Sequence, residues 1–163
     1  MRHGSQSIDD IVRDHTPAVT AFTRSLVSES ALVDDIVQET FIRVWRYLST
    51  FRGEGSFEGW IIRICHNVIR TTMKRRKFTE PIEADIESEV DDYGSFDTLD
   101  LLGSLSPDHR AVTVLCLVLG HTYEDAADIL GIPVGTVRSR VSRARDVLKA
   151  QLDSAPGDQA RAG

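Results

Sequence analysis

Residues 122–149 read TYEDAADILGIPVGTVRSRVSRARDVLK. Thr122 is an N-cap residue type, and Asp125 three positions on makes a weak capping box. The spacing predicts a short helix over Tyr123–Leu130 that buries Ala126, Ala127 and Leu130. Gly131 can take the left-handed conformation that closes such a helix. Pro133 falls near the first turn of a second helix, where its missing N–H costs nothing. Two helices joined by a short Gly-containing turn make a helix-turn-helix, and the small alanines let the second cross the first closely.

The second helix carries the chemistry. Val134, Val137, Val141 and Leu148 recur at helical spacing and predict its core face. Arg138, Arg140, Arg143, Arg145 and Lys149 share the other faces, and Asp146 is the single acid between Pro133 and Lys149. A solvated helix face usually mixes acids with its bases. A face of one sign beside a helix-turn-helix is the electrostatic footprint of a DNA contact.

The chain has 163 residues, enough for one ordinary domain or two small ones. No apolar run reaches membrane-spanning length, and the N-terminus lacks a basic-then-apolar leader, so a cytoplasmic protein is expected. Cys65 and Cys116 sit in apolar helical settings without CxxC spacing. They are expected to be buried, reduced thiols, with neither a disulfide nor a metal site.

The net charge of −6 runs against nucleic-acid binding until it is divided. Residues 80–100 hold nine acids and no Lys or Arg, which leaves the rest of the chain at +3. Residues 1–79 carry twelve Lys and Arg against nine acids, and residues 101–163 carry seven against seven. Charge is segregated along the chain, and the overall value misleads.

Ser7 is placed to cap a first helix bearing Ile8, Ile11, Val12, Val19, Phe22, Leu26 and Val27, with Pro17 expected to end or kink it. A second helix over about Ala31–Leu48 is expected to bury Leu32, Ile36, Val37, Val44, Trp45 and Leu48. Asp34, Asp35, Gln38, Glu39 and Arg43 form its polar face. The stretch Thr50–Gly59 is rich in glycine, but it lacks GxGxxG and GxxxxGK[ST] and follows no strand, so nucleotide binding is rejected. Ser56 then caps a helix with Trp60, Ile61, Ile64, Cys65, Val68 and Ile69, ending in the basic run Lys74–Lys77. Aromatics beside cations can stack unpaired bases. For Trp60 the plainer expectation is a place in the core.

Residues 79–97 are too acidic and too poor in periodic apolar positions to pack, and read as a linker. Ser106-Pro107 is a strong start signal for a helix Pro107–Leu119, which Gly120 closes. The expected fold is all-α: two small helical domains, 1–78 and 98–152, joined by an acidic flexible linker over 79–97. The second domain contains the helix-turn-helix, and a disordered tail follows over 153–163.

Three blocks in this order resemble a bacterial sigma factor of the extracytoplasmic-function (ECF) group of the sigma-70 family. They are Asp34-Asp35-Ile36-Val37-Gln38-Glu39-Thr40-Phe41, then Phe51-Arg52-Gly53 through Trp60 to Asn67, then Tyr123 to Arg145. The resemblance implies an RNA polymerase subunit that directs promoter-specific initiation, with no catalysis and no cofactor of its own. It places Asp35, Gln38, Glu39, Thr40, Ile42 and Arg43 against the clamp helices of the polymerase β′ subunit. It implies that Phe51, Arg63, Asn67, Lys74, Arg75 and Arg76 meet the −10 element as a melted single strand, Phe51 and Asn67 lining a pocket for a flipped base. It implies that Thr136, Arg138, Ser139, Arg140, Arg143 and Arg145 meet the −35 element as duplex, and that the helix Pro107–Leu119 meets the β flap. Many members of the group are held by an anti-sigma factor, a further partner the resemblance suggests. Leu117, Val118 and Leu119 depart from the family, which often has polar residues just before this glycine. They are expected either to enlarge the local core or to form a docking patch.

Two other function classes compete. A conventional helix-turn-helix regulator would bind duplex DNA without polymerase, but has no reason to carry the blocks Asp34–Phe41 and Phe51–Asn67. An enzyme fares worse: His3, His15, His66, His109 and His121 are scattered, with no HExxH and no GxSxG.

Overall fold

Capping residues set most of the element boundaries. In the computed structural model, which describes residues 6–79 and 101–154, the Ser7 hydroxyl accepts from the Asp9 amide and opens α1, Ile8–Leu26. Pro17 lies inside α1 and does not end it, contrary to the first of its two expected effects. Ile11, Val19 and Phe22 are buried on either side of the proline, and burial at this scale offsets one lost backbone bond. The Thr16 hydroxyl also donates to the Val12 carbonyl at 2.5 Å.

α2 spans Ser30–Tyr47 and tightens into a 3₁₀ turn at Leu48–Thr50. It buries Val33, Ile36, Thr40, Phe41 and Val44. Trp45 was expected in this core but is 67 % exposed. Val44 occupies the inward direction, and one residue further round the helix turns the indole outward. Ser56 accepts from the Gly59 amide and starts α3, Phe57–Thr79. α1, α2 and α3 pack on one another, with Ile61, Ile62, Cys65 and Val68 of α3 at the centre. Cys65 contacts the Thr23 hydroxyl at 3.2 Å, and burial pushes its thiol pKa up.

After a helical stretch at residues 101–103, the next helix of the second group opens at Ser106, whose hydroxyl accepts from the His109 amide, with Pro107 in the first turn. α4 covers Pro107–Thr113 and then widens into a π-helical turn, Val114–Val118. Leu119 N–H donates to Val114 C=O at 2.8 Å across five residues. The expected regular helix to Leu119 is therefore broken in phase. The extra residue in the turn keeps Val114 and Leu115 buried but sends Leu117 and Val118 to the surface, 41 % and 55 % exposed. Cys116 is half-buried where full burial was expected.

α5, Tyr123–Leu130, is capped by Thr122 accepting from the Asp125 amide at 3.0 Å. Gly131 closes it at φ 66°, and α6 runs over Val134–Ser154. The Pro133 carbonyl accepts from Thr136 and Val137, so the proline precedes α6 as its cap. The crossing of α5 and α6 buries Ala126, Ala127, Ile129, Val137, Val141 and Ala144. Ile129, where Leu130 was expected, joins Ala126 and Ala127 on the buried face of α5, and Leu130 is only partly buried.

The two helical groups do not stand apart. α3 packs on α5, α1 packs on α4 and its π turn, and the buried side chains of both groups form one continuous cluster. Ile129 of α5 reaches α3 at Gly59, where a Cβ would stand at an ordinary contact distance of 3.8 Å from Ile129 Cδ1. The expected linker over 79–97 and tail over 153–163 lie outside the described residues, apart from Thr79, Asp153 and Ser154, which end helices.

Candidate nucleic-acid and partner interface

On α2 most of the residues expected at a partner lie at the surface. Asp34, Asp35, Gln38 and Ile42 are exposed, and the half-exposed Glu39 and Arg43 pair across one turn at 2.8 Å. Thr40 does not belong to this face. It is fully buried, its hydroxyl donating to the Ile36 carbonyl at 2.7 Å, and it shapes the face only from beneath. Trp45 is exposed on the same helix, close to Ile42. Ile8 and Val12 of α1 and Val37, Phe41, Ile42 and Trp45 of α2 line an apolar groove beside these polar residues.

On α3 the aromatics gather at the N-terminal end. The Phe51 ring lies 5.0 Å from Phe57 and 5.3 Å from Trp60 between centroids, and Phe57 and Trp60 stack at 5.8 Å. Asn67 is seven residues beyond Trp60 on the same side of the helix, which separates them by about 10 Å along the axis. Arg63, Asn67 and Lys74 are exposed on that stripe. Arg70 fills its gap, three residues after Asn67 and four before Lys74, and was missed; the spacing alone would have shown it. Arg76, expected on DNA, instead holds Glu29 at 2.8 Å.

The candidates on α6 cannot all face one groove. At about 100° per residue, Thr136, Ser139, Arg140 and Arg143 fall on one flank of the buried stripe, and Arg138 and Arg145 on the other. Arg138, Ser139, Arg143 and Arg145 are exposed. Arg140 is partly covered, 3.8 Å from Asp108. It borders a cleft between the two helical groups that Arg70, Met73 and Lys77 of α3 line from the opposite side.

No group of three or more metal-ligating side chains occurs among the described residues, and no described helix is long and apolar enough to cross a membrane.

The family model for Sigma-70 region 2 matches residues 11–79, and that for Sigma-70 region 4 matches residues 96–148. The chain is 31% identical over 173 residues to the ECF RNA polymerase sigma factor EcfG of Rhodopseudomonas palustris, covering 97% of this chain and 95% of that protein. It is 34% identical over 159 residues to the ECF RNA polymerase sigma factor SigE of Mycolicibacterium smegmatis, covering 90% of this chain and 62% of that longer protein. Among solved structures it is similar to the sigma factor RpoE in complex with the anti-sigma factor NepR from Bartonella quintana. The TM-score there is 0.75 at 31% identity, with 90% of this chain and 97% of that one covered. It is also similar to CnrH in complex with the cytosolic domain of CnrY, with a TM-score of 0.66 at 29% identity over 91% of this chain and 88% of that one. With both sigma-70 regions present in order on one all-helical chain, the protein belongs to the ECF group of the sigma-70 family of RNA polymerase sigma factors.

Proposed function

We propose that this sigma factor engages core polymerase through the outer face of α2 and the promoter through α3 and α6. The observation that carries the reading is the pairing of two separate surfaces on one chain: a polar α2 face with an exposed tryptophan, and basic stripes on α3 and α6. A duplex-binding regulator needs the second surface and has no use for the first.

The chemistry is binding, not bond-making. Asp35, Gln38, Glu39, Ile42 and Arg43 hold the β′ clamp helices, and the α4 end meets the β flap. Phe51 supplies an aromatic face for an extruded base of the −10 strand, and Asn67 supplies an amide that can both donate and accept. Arg63, Lys74 and Arg75 neutralise phosphates along the same strand. Each base captured in the single-stranded state pulls the duplex-to-open equilibrium toward melting. The flank Thr136–Ser139–Arg140–Arg143 enters the major groove of the −35 duplex. Two contacts on one chain also raise the effective concentration of the second once the first has formed. An anti-sigma factor fits the same scheme, as the solved relatives in complex with NepR and CnrY suggest.

Core binding tests the first half directly. The full chain is expected to co-elute with purified bacterial core polymerase on gel filtration, and Gln38→Ala combined with Asp35→Ala to weaken that association. Failure to bind core, with tight binding of the free protein to a duplex, would replace this reading with a conventional regulator.

A further inference from the structure

The two helical groups meet where Ile129 reaches Gly59 and where Glu58 stands 3.1 Å from His121 Nε2 and 3.6 Å from His15 Nδ1. At His66 of α3, which reaches the Ile129 backbone, their surfaces part into a cleft of about 600 Å³. Small-molecule sites typically occupy about 300–1,000 Å³ and favour such junctions. The floor of the cleft is apolar. Ile69 and Ala111 are buried there, and Leu26, Leu130 and Ile132 are partly covered. Hydrocarbon from α1, α3, α4 and the turn of the helix-turn-helix thus faces one space.

The rim is cationic. Arg70 and Lys77 stand on the α3 side and Arg140 on the α6 side, with Asp108 the single acid. Arg70 and Lys77 are two helical turns apart and share one side of α3. Among the described residues no acid pairs with Arg70 or Lys77. Arg140 meets Asp108 only at 3.8 Å, and the Asp108 side chain is 74% exposed. Burial and the neighbouring Arg70 hold the His66 pKa below its ordinary value, so this ring adds no charge at neutral pH. Three cations and one acid leave the rim with a surplus of two positive charges.

Such a rim around an apolar floor is complementary to a doubly charged head on a hydrocarbon body. A phosphate monoester carries about two negative charges at pH 7, and arginine forks grip its oxygens in pairs. A carboxylate, with one charge, leaves half of the surplus unmatched. A nucleic-acid strand needs aromatic faces for its bases, and His66 is the sole aromatic ring on the lining.

We propose that this cleft binds a small organic phosphate, its phosphomonoester held by Arg70, Lys77 and Arg140 and its apolar body resting on Ile69, Ala111 and Leu130. The site lies apart from the α2 face and from the aromatic end of α3. Arg140 is also a proposed −35 contact, so on that reading an occupied cleft and a bound duplex compete for one side chain. A free ester and a lipid headgroup share this chemistry.

The probe is octyl phosphate, titrated calorimetrically into the full chain without DNA or polymerase. It is expected to fill a single site, with octanol and inorganic phosphate each about tenfold or more weaker, because each lacks half of the complement. Arg70→Glu with Lys77→Glu, and separately Met73→Glu, which sets an acid on the lining, are expected to weaken octyl phosphate about tenfold or more. All three positions are exposed, and an unchanged unfolding midpoint of the free chain checks that the fold is kept. Lys149→Glu, at an exposed position of α6 off the cleft, is expected to keep the wild-type affinity. Inorganic phosphate that binds as tightly as octyl phosphate overturns the site. So does an affinity that Lys149→Glu lowers as far as the cleft variants do, since charge alone then accounts for it. Affinity unmoved by the cleft variants overturns it as well. With octyl phosphate bound in the cleft, phosphatidylcholine vesicles containing phosphatidic acid separate the two sources. Retention that the cleft variants lose supports a lipid headgroup, and no retention supports a soluble ester. A chain that fails to bind core or promoter overturns the functional reading separately, leaving these outcomes as they stand.

Discussion

His66 shows how one side chain reports on the docked state. It lies between α3 and α5, and burial lowers its pKa, with Arg70 adding to the effect; a hydrogen bond to the Ile129 backbone opposes it. A base whose pKa is lower in the folded state binds fewer protons folded than unfolded. Stability is therefore expected to fall as the pH drops below about 6.5, the ordinary histidine value. His66→Gln is expected to flatten that part of a thermal-unfolding profile taken between pH 7.5 and 5.5; an unchanged slope would show that His66 stays accessible to water. The proposed promoter contacts are tested at this scale by Arg140 and Asn67. Arg140→Ala is expected to cost about 1–3 kcal/mol in holoenzyme affinity for the −35 duplex. Asn67→Ala is expected to slow promoter opening while leaving core binding intact. Unchanged duplex affinity would remove Arg140 from the DNA face, and equal loss of opening and core binding would remove Asn67 from the base pocket.

At the scale of the element, Gly131 makes the sharpest case. Its φ of 66° is in the left-handed region, and a Cβ there would meet nothing within 4 Å. Gly131→Ala is thus expected to cost about 1–2 kcal/mol through backbone strain alone, read as a lower unfolding midpoint. A cost near zero would mean that the turn relaxes to another conformation. This turn was legible in the sequence, as were the caps Ser7, Ser56, Ser106 and Thr122, because caps and turns are decided within a few residues. What depends on phase or on distant partners was not legible. The π turn at Val114–Val118 adds a residue that a regular period cannot anticipate. Trp45 and Thr40 exchanged their expected places, since an apolar residue at the border of a helical stripe can turn either way. Arg76 found Glu29, which is 47 positions away in the chain. The split of the α6 cations into two flanks follows from helix geometry and needed only the wheel to be drawn.

At the scale of the whole molecule, the docking of the two domains was beyond the sequence, because nothing local marks Glu58, His15 and His121 as neighbours. The order of the blocks nonetheless fixed the family. Between Thr79 and Leu101 the chain has a covalent reach of about 75 Å when extended. Added to the widths of the domains, that length is enough for the proposed contacts with both promoter elements.

Transcription reconstituted from the full chain and purified bacterial core polymerase, on a library of promoter fragments with start sites mapped, tests the central claim most directly. The account predicts transcripts that depend on this protein and begin downstream of two shared sequence elements, and their loss when the α2 face is mutated. Core polymerase that gives the same transcripts with and without the protein, while the protein alone holds a duplex, would contradict it.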